Sequence, residues 1–431
     1  MSLRKIPSLQ AACRMIRHRS LLEGLLALSE AHGEAFWLAW PGFRALVAAG
    51  PRAARTVLLE ERGRFRSRIE GDPVVRLFRH GLLVTDGDLH EALRREIEPF
   101  LRGPGLARWV PRILHRTDER ISRWVVGDRV DLLEELRLLT LGVLMESLFN
   151  LSIEEAHLPP LARMLKAAVA YISPGLWLLW KNGPRRIDTA ALDHLDRQID
   201  QWIQDRRRES RRGEDLLSHW TRCEWMDDAL IRDQLITLLI AGHDTVTAWL
   251  AWTLALLLTH PAEMEQVQAE IRRVVGDRPP TFEDLRRLPL LDAAARESMR
   301  LYPPIPVLNR IASASTSLEG LAIPSGVRVM IPIYALHRRS DRWEEAHCFR
   351  PERFRNPAAK PSGGFDYLPF GGGPRFCVGA SFAWMEGRII LIRILQRARM
   401  EPAFRERAAR LGATLEPRDG VPVKICELRD P

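Results

Sequence analysis

The sequence predicts a mostly α fold with a minor β component, arranged as a single domain over residues 1–431. Three observations lead there. Apolar residues recur at three- and four-residue steps over long segments, the period of a helix with one buried face. Runs with strand character are few and short. No internal repeat divides the chain, and no stretch is long or polar enough to serve as a linker between domains.

Taken in order, the N-terminal "MSLRKIPSLQAACRMIRHRSLLEGLLALSE" interrupts every apolar run with Arg, His or Glu. It is neither a signal-peptide core nor a membrane anchor by that pattern. "EAFWLAW" (34–40) and "FRALVAA" (43–49) read as strands. "VDLLEELRLLTLGVLMESLFNL" (130–151), "ALDHLDRQIDQWIQDRRRES" (191–210) and "PAEMEQVQAEIRRVVG" (261–276) read as helices. Between the last two lies "LITLLIAGHDTVTAWLAWTLALLL" (235–258), long enough to cross a bilayer, which takes about 20 apolar residues. It carries Gly242, His243, Asp244 and Thr245 near its middle, and an aspartate at mid-bilayer costs about 2.5–3.5 kcal/mol on the insertion scale. A helix apolar on all sides with one polar notch is expected at the centre of a soluble core. "VRVMIPIY" (327–334) and "VPVKICEL" (421–428) read as strands, and 343–376 as irregular chain rich in proline and glycine.

Hydrophobic residues make up 46% and charged residues 28% of the chain, as in ordinary soluble globular proteins. The five cysteines (Cys13, Cys223, Cys348, Cys377, Cys426) are scattered without a CxxC pair. That spacing argues against a disulfide framework or a zinc site and for a reducing cytoplasm. The net charge of +9 raises the question of nucleic acid. The arginines lie beside Glu and Asp, as in "EERGRFRSRIE", and no nucleic-acid-binding module accompanies them, so no nucleic-acid partner is expected. An acidic protein partner is a more economical use of the charge.

"FGGGPRFCVG" (370–379) is the most informative stretch. A metal-ligating thiolate needs hydrogen-bond donors, because burying it bare is costly. Glycines allow backbone N–H groups to approach the sulfur and permit the positive φ of a tight bend. "ASFAWMEGRIILIRILQRA" then resumes as a helix whose N-terminal dipole favours negative charge at Cys377. A buried structural cysteine beside a Gly-rich turn is the bland alternative, and the full Phe-x-x-Gly-x-Arg-x-Cys-x-Gly set argues against it.

This loop resembles the haem-ligand loop of the cytochromes P-450, the haem-thiolate monooxygenases. The resemblance implies a fold with a long central helix over a haem and the cysteine loop on the proximal side. It makes Cys377 the iron ligand, places Phe370, Gly371 and Gly379 around haem b, and pairs Arg375 with a propionate. Cysteine thiolate is the axial ligand that favours O–O cleavage. "ESMRLYPP" (297–304) resembles the family's Glu-x-x-Arg helix, and "FRPERF" (349–354) the segment that completes a buried triad of Glu297, Arg300 and Arg353. "DLHEALRREIEPFL" (88–101) resembles the helix whose His90 and Arg94 face a propionate, and "VLNRIA" (307–312) supplies Arg310 as another propionate partner. "AGHDT" (241–245) resembles the oxygen-binding bend, where Ala241 and Gly242 leave room for O₂. Asp244 and Thr245 there form an acid–alcohol pair for proton relay. For the threonine, a bond back to its own helix is the structural alternative.

By the same resemblance, 71–86, Ala241 and 305–309 line the substrate site. "YISPGLWLLWKNGP" (171–184) falls at a mobile access region, where it meets membrane or a greasy ligand, or packs on neighbouring helices. The expected activity is insertion of one oxygen atom of O₂ into an apolar small molecule, terpenoid, fatty acid or similar. Oxidative coupling or desaturation, or a non-catalytic haem sensor, are the alternatives. The acid–alcohol pair argues against a sensor, which needs no proton delivery. Cys377 lies close to the chain end, so no fused reductase is expected. Electrons come from a separate ferredoxin or flavodoxin with its reductase, and the protein is expected as a cytoplasmic monomer without a transmembrane anchor.

Overall fold

A computed structural model describes residues 20–40, 43–173, 189–209, 213–355, 364–405 and 408–430. Its axis is the 32-residue helix Asp228–Thr259. Asp227 caps it by accepting the N–H of Leu230 at 2.8 Å, the usual role of an N-cap carboxylate. At its far end Pro261 opens the next helix, Pro261–Val274, the helical position where a missing N–H does least harm. The central helix is long and apolar enough to span a membrane, and 83% of its most apolar window is buried inside the protein. Helices Leu132–Phe149, Thr189–Arg208, Pro289–Leu301 and Ala380–Arg397 pack around it.

Leu132–Phe149 starts two residues later than its apolar pattern, because Arg129–Asp131 pairs as a strand with Pro422–Leu428. Asp131 then caps the helix through the N–H of Leu133. Asn150, at φ +50°, ends it in the left-handed conformation that asparagine tolerates. The 88–101 segment is the helix Gly87–Leu101.

The β component is peripheral. A five-stranded sheet runs in the order Ala35–Trp40, Phe43–Ala48, Arg328–Ile331, Leu308–Ala312, Phe65–Arg66, with Phe43–Ala48 and Arg328–Ile331 parallel. "VRVMIPIY" is strand only to Ile331. Pro332 has no N–H for the ladder, and Ile333–Leu336 becomes a helical turn. Three-stranded pairing of Arg129–Asp131, Pro422–Leu428 and Ala398–Pro402 closes the other side. In the irregular 343–376 region the described regular pieces are the short helix Glu352–Arg355 and a tight turn at Gly373–Arg375. Of the expected access region, 171–173 ends the helix Leu158–Ile172, and 174–184 lies outside the described residues, as does the N-terminal 1–19.

Candidate active site

The cysteine loop is built on glycine where no other residue serves. Gly371 and Gly373 have φ of +73° and +68°, and a Cβ on Gly373 would lie 2.0 Å from the carbonyl oxygen of Leu58. The N–H of Cys377 donates to Phe370 O at 3.0 Å and closes the bend. Helix Ala380–Arg397 follows, with Gly379 as its N-cap. The Phe370 ring meets those of Phe376 and Trp384 at 6.2 and 6.4 Å. The Cys377 side chain is exposed by surface area, yet many protein atoms crowd the sulfur, and that crowding governs its ionisation. Burial pushes the thiol pKa up, against the N–H groups of Gly379 and Ala380 and the charges of Arg94 and Arg102. A cation bound at the sulfur reverses that balance.

Beside the loop lies an excess of positive charge. Arg375 reaches the carbonyls of Leu82 (3.3 Å) and Thr85 and the carboxylate of Asp86. Asp86 also accepts the N–H groups of Ser67 and Arg68 at 2.9–3.1 Å. Arg375 is thus already held by protein acceptors, more fully than a pure propionate partner requires. Arg94 donates to Phe376 O at 2.8 Å. Arg310 has, among the described residues, a single hydrogen bond, to its neighbour Asn309 O at 2.8 Å. Burial, then Arg375, lowers the Arg310 pKa to about 10, with Asp86 opposing. Burial, then Arg375 and Arg94, brings His90 down to about 4. Arg375 and Arg94 have carboxylates in Asp86 and in Glu98 (3.7 Å from Arg94 Nε), while Arg310 has none among the described ion pairs, so three guanidiniums against two carboxylates leave a site that an anion would neutralise.

Glu297, Arg300 and Arg353 lie together in one hydrogen-bonded cluster. Glu297 and Arg300 are fully buried. The carboxylate accepts from Arg300 Nε and Nη2 (2.7 and 2.8 Å), Arg353 Nε (3.1 Å) and the N–H of Arg350 (2.9 Å). Arg300 spends its remaining donors on the carbonyls of His337, Ala346 and Cys348. Full hydrogen bonding is what lets such charges survive burial. His337, whose pKa burial lowers to about 3 with Arg300 and Arg338 adding to the effect, stays neutral. Its Nε2 accepts the N–H of Leu368 at 2.7 Å, so the triad holds the chain two residues ahead of Phe370.

The central helix runs through Ala241–Thr245 without interruption, so the notch is a polar patch and not a break. Ala241, Gly242 and Thr245 remain partly accessible in an otherwise buried stretch. A Cβ on Gly242 would lie 2.9 Å from Leu144 Cδ1. The glycine therefore admits the neighbouring helix, where the sequence pattern suggests only room for O₂. Thr245 Oγ1 donates to Ala241 O at 2.8 Å, the back-bond of the structural alternative. Asp244 and Thr245 share no hydrogen bond among the described residues. Asp244 instead pairs with Arg137 and accepts from Thr414 Oγ1 at 3.0 Å. Arg137 also pairs with Glu416 at 2.7 Å, and Glu416 with Arg410 at 2.6 Å. Burial is the largest single influence on the Glu416 pKa and would raise it, but Arg137 and Arg410 together make the net shift downward.

Arg137, Thr414, Glu416 and Asp86 are site residues that sequence reasoning missed. Arg137 left a signal, a lone cation in the apolar face of 130–151. Gln234 is another: it accepts Leu82 N–H at 2.8 Å and donates to His80 O at 3.0 Å. It thereby fixes 80–85 to the central helix while Arg375 fixes 82–86 to the cysteine loop.

These residues fit a haem. A loop sulfur with the N–H groups of Gly379 and Ala380 beside it, an under-paired Arg310 among further cations and the small-residue face of a long helix answer to iron, propionates and a gaseous ligand in turn. A family model for cytochrome P450 matches residues 4–411, and the chain belongs to that family. It is 31% identical to cyclooctat-9-en-7-ol 5-monooxygenase of Streptomyces melanosporofaciens, over 88% of this chain and 84% of the relative. It is 31% identical to carotene epsilon-monooxygenase, chloroplastic, of Arabidopsis thaliana, over 81% and 72%. It is 27% identical to protein LUTEIN DEFICIENT 5, chloroplastic, of the same plant, over 99% and 78%. The fold is that of a cytochrome P450, and the chain is a cytochrome P450 monooxygenase.

Proposed function

We propose that this monooxygenase acts on a largely hydrocarbon small molecule of the terpenoid class, in the cytoplasm, with electrons from a separate ferredoxin or flavodoxin. The observation that carries the substrate class is a pair of exposed apolar side chains: Leu83 is 50% and Ile305 36% exposed. Both lie on segments that the family layout gives to the substrate, and exposed side chains of this kind favour apolar ligands. The relatives named for cyclooctat-9-en-7-ol and carotene act on molecules that are mostly hydrocarbon, which supports the same class.

Haem b, bound through Cys377, would supply O₂ activation. Arg310, Arg94 and His90 would hold its propionates, with Arg375 held beside them by Asp86. Thr245 holds a proton at Oγ1 on the accessible face, where its lone pairs remain free to accept. Asp244 resupplies protons once Arg137 releases one carboxylate oxygen. Thr414 (3.0 Å from Asp244, 3.4 Å from Glu416) and Glu416 extend the route toward Arg410, whose side chain is 47% exposed. Asp244 and Glu416 then act as successive proton carriers with a hydroxyl between them.

The test is a binding screen on the ferric enzyme, read as a Soret shift on displacement of the iron's water. Terpenes and terpene alcohols are expected to give the shift at micromolar concentration. A screen in which fatty acids or polar amines bind and terpenoids do not would overturn the substrate class and leave the reaction class standing.

A further inference from the structure

A second cluster lies outside the haem site. Glu96 of helix Gly87–Leu101, His219 of helix Leu216–Trp220 and Cys223 just beyond it place one ligand atom each within 4.8 Å of the others. His219 Nε2 is 2.6 Å from Glu96 Oε2, and Cys223 Sγ is 3.7 Å from that oxygen and 3.8 Å from that nitrogen. These separations define a circle of radius about 2.0 Å. A point bonded to all three at about 2.0–2.3 Å therefore exists with little movement, and these are the lengths of zinc–oxygen, zinc–nitrogen and zinc–sulfur bonds.

The ligands are held independently of any ion. Trp220 is fully buried. Asp215 caps the short helix through the N–H of Ser218 at 2.9 Å and pairs with Arg206. The N–H of Cys223 donates to Trp220 O at 3.0 Å, which sets the thiol one turn beyond His219. On the other element the Phe100 ring lies 5.3 Å from the His219 ring and walls the site. All three ligands are half-buried, which leaves a fourth position for water.

We infer that Glu96, His219 and Cys223 form a binding site for a zinc-type divalent cation. Nitrogen, sulfur and a single carboxylate suit zinc, whereas magnesium and calcium require mostly oxygen ligands. On binding, the Cys223 thiol loses its proton to solvent, and the His219 ring carries its proton on Nδ1 so that Nε2 can ligate. The bound ion ties the helix that carries His90 and Arg94 to the segment leading into the central helix.

The test uses haem-loaded, chelator-treated enzyme titrated with zinc chloride, with iodoacetamide labelling of each cysteine read by peptide mass spectrometry. One zinc per chain is expected, with Cys223 labelling slowed at least tenfold by zinc and unaffected by magnesium. Cys223→Ser and His219→Ala should each weaken binding at least tenfold with the Soret band intact. Where a variant loads haem poorly, Glu96→Gln makes the same comparison, and the wild-type labelling pattern stands without any variant. No zinc uptake, uptake unchanged in the variants, or protection at Cys348 or Cys426 in place of Cys223 overturns the site.

Discussion

Charge balance decides what single residues contribute. Arg310 is half-buried and crowded beside Arg375, with only a neighbouring carbonyl as acceptor among the described residues, so an anionic propionate has most to offer there. A hydrogen bond to a charged group contributes about 1.5–3 kcal/mol. Arg310→Leu should therefore weaken haem retention about 10- to 100-fold, measured as haem transfer to an acceptor globin. His337 makes a different prediction. Its folded pKa of about 3 lies below the 6.5 of a free histidine, so the unfolded chain takes up the proton first. The stability it contributes is full above pH 6.5 and is lost progressively as pH falls toward 3. His337→Gln keeps an acceptor for Leu368 and removes the titration. Urea unfolding between pH 7 and pH 4 should show a shallower acid decline in the variant, and parallel curves would refute the assignment. Cys377, Arg375 and the Glu297–Arg300 pair were legible in the sequence because each sits in a short local pattern. Asp86 and His337 were not, since nothing near them in sequence shows what they bind.

Elements carry the strain and the proton route. Glycine at 373 answers to a positive φ and to the Leu58 carbonyl 2.0 Å from where a Cβ would lie. Gly373→Ala should disrupt the cysteine loop and abolish haem binding. Gly242→Ala meets only the end of the Leu144 side chain, which can turn aside, and should bind haem with a cost of about 1–3 kcal/mol from overpacking. Arg137 neutralises two carboxylates, Asp244 on the central helix and Glu416 on the antiparallel pair Ala409–Leu411 and Leu415–Pro417. Breaking a buried pair costs about 3–5 kcal/mol, so Arg137→Met should lower stability by that order in urea unfolding. Asp244→Asn and Glu416→Gln should instead slow turnover, because an amide carries no proton, while Thr245→Ala should divert reducing equivalents to hydrogen peroxide. Product and peroxide per nicotinamide consumed separate these outcomes, and full coupling in Thr245→Ala would leave its hydroxyl a structural back-bond. The helices were legible from periodicity. Arg137 bonds partners 107 and 279 positions away, and no local pattern encodes that meeting.

For the whole molecule, the sheet order escaped sequence reading for the same reason, since Phe43–Ala48 pairs with Arg328–Ile331 from the far end of the chain. Fold class came through because helical periodicity dominates the chain and strand-like runs are few and short. Charge acts at this scale on the partner. The exposed Arg95 and the partly exposed Arg94 and Arg102 lie on and beside the helix that touches the cysteine loop. The Debye length shrinks from about 10 Å at 0.1 M salt to about 3 Å at 1 M. Reduction by an acidic ferredoxin should slow steeply over that range, and Arg95→Glu should mimic the loss at low salt. A rate indifferent to both would place the docking face elsewhere. The central claim is thiolate ligation by Cys377, and the spectrum of the reduced, CO-bound protein tests it most directly. Wild type should show the strongly red-shifted Soret band of a thiolate ligand, and Cys377→His should show the band of histidine-ligated haem with no turnover. An unshifted wild-type band, or a thiolate spectrum that survives the substitution, would contradict it.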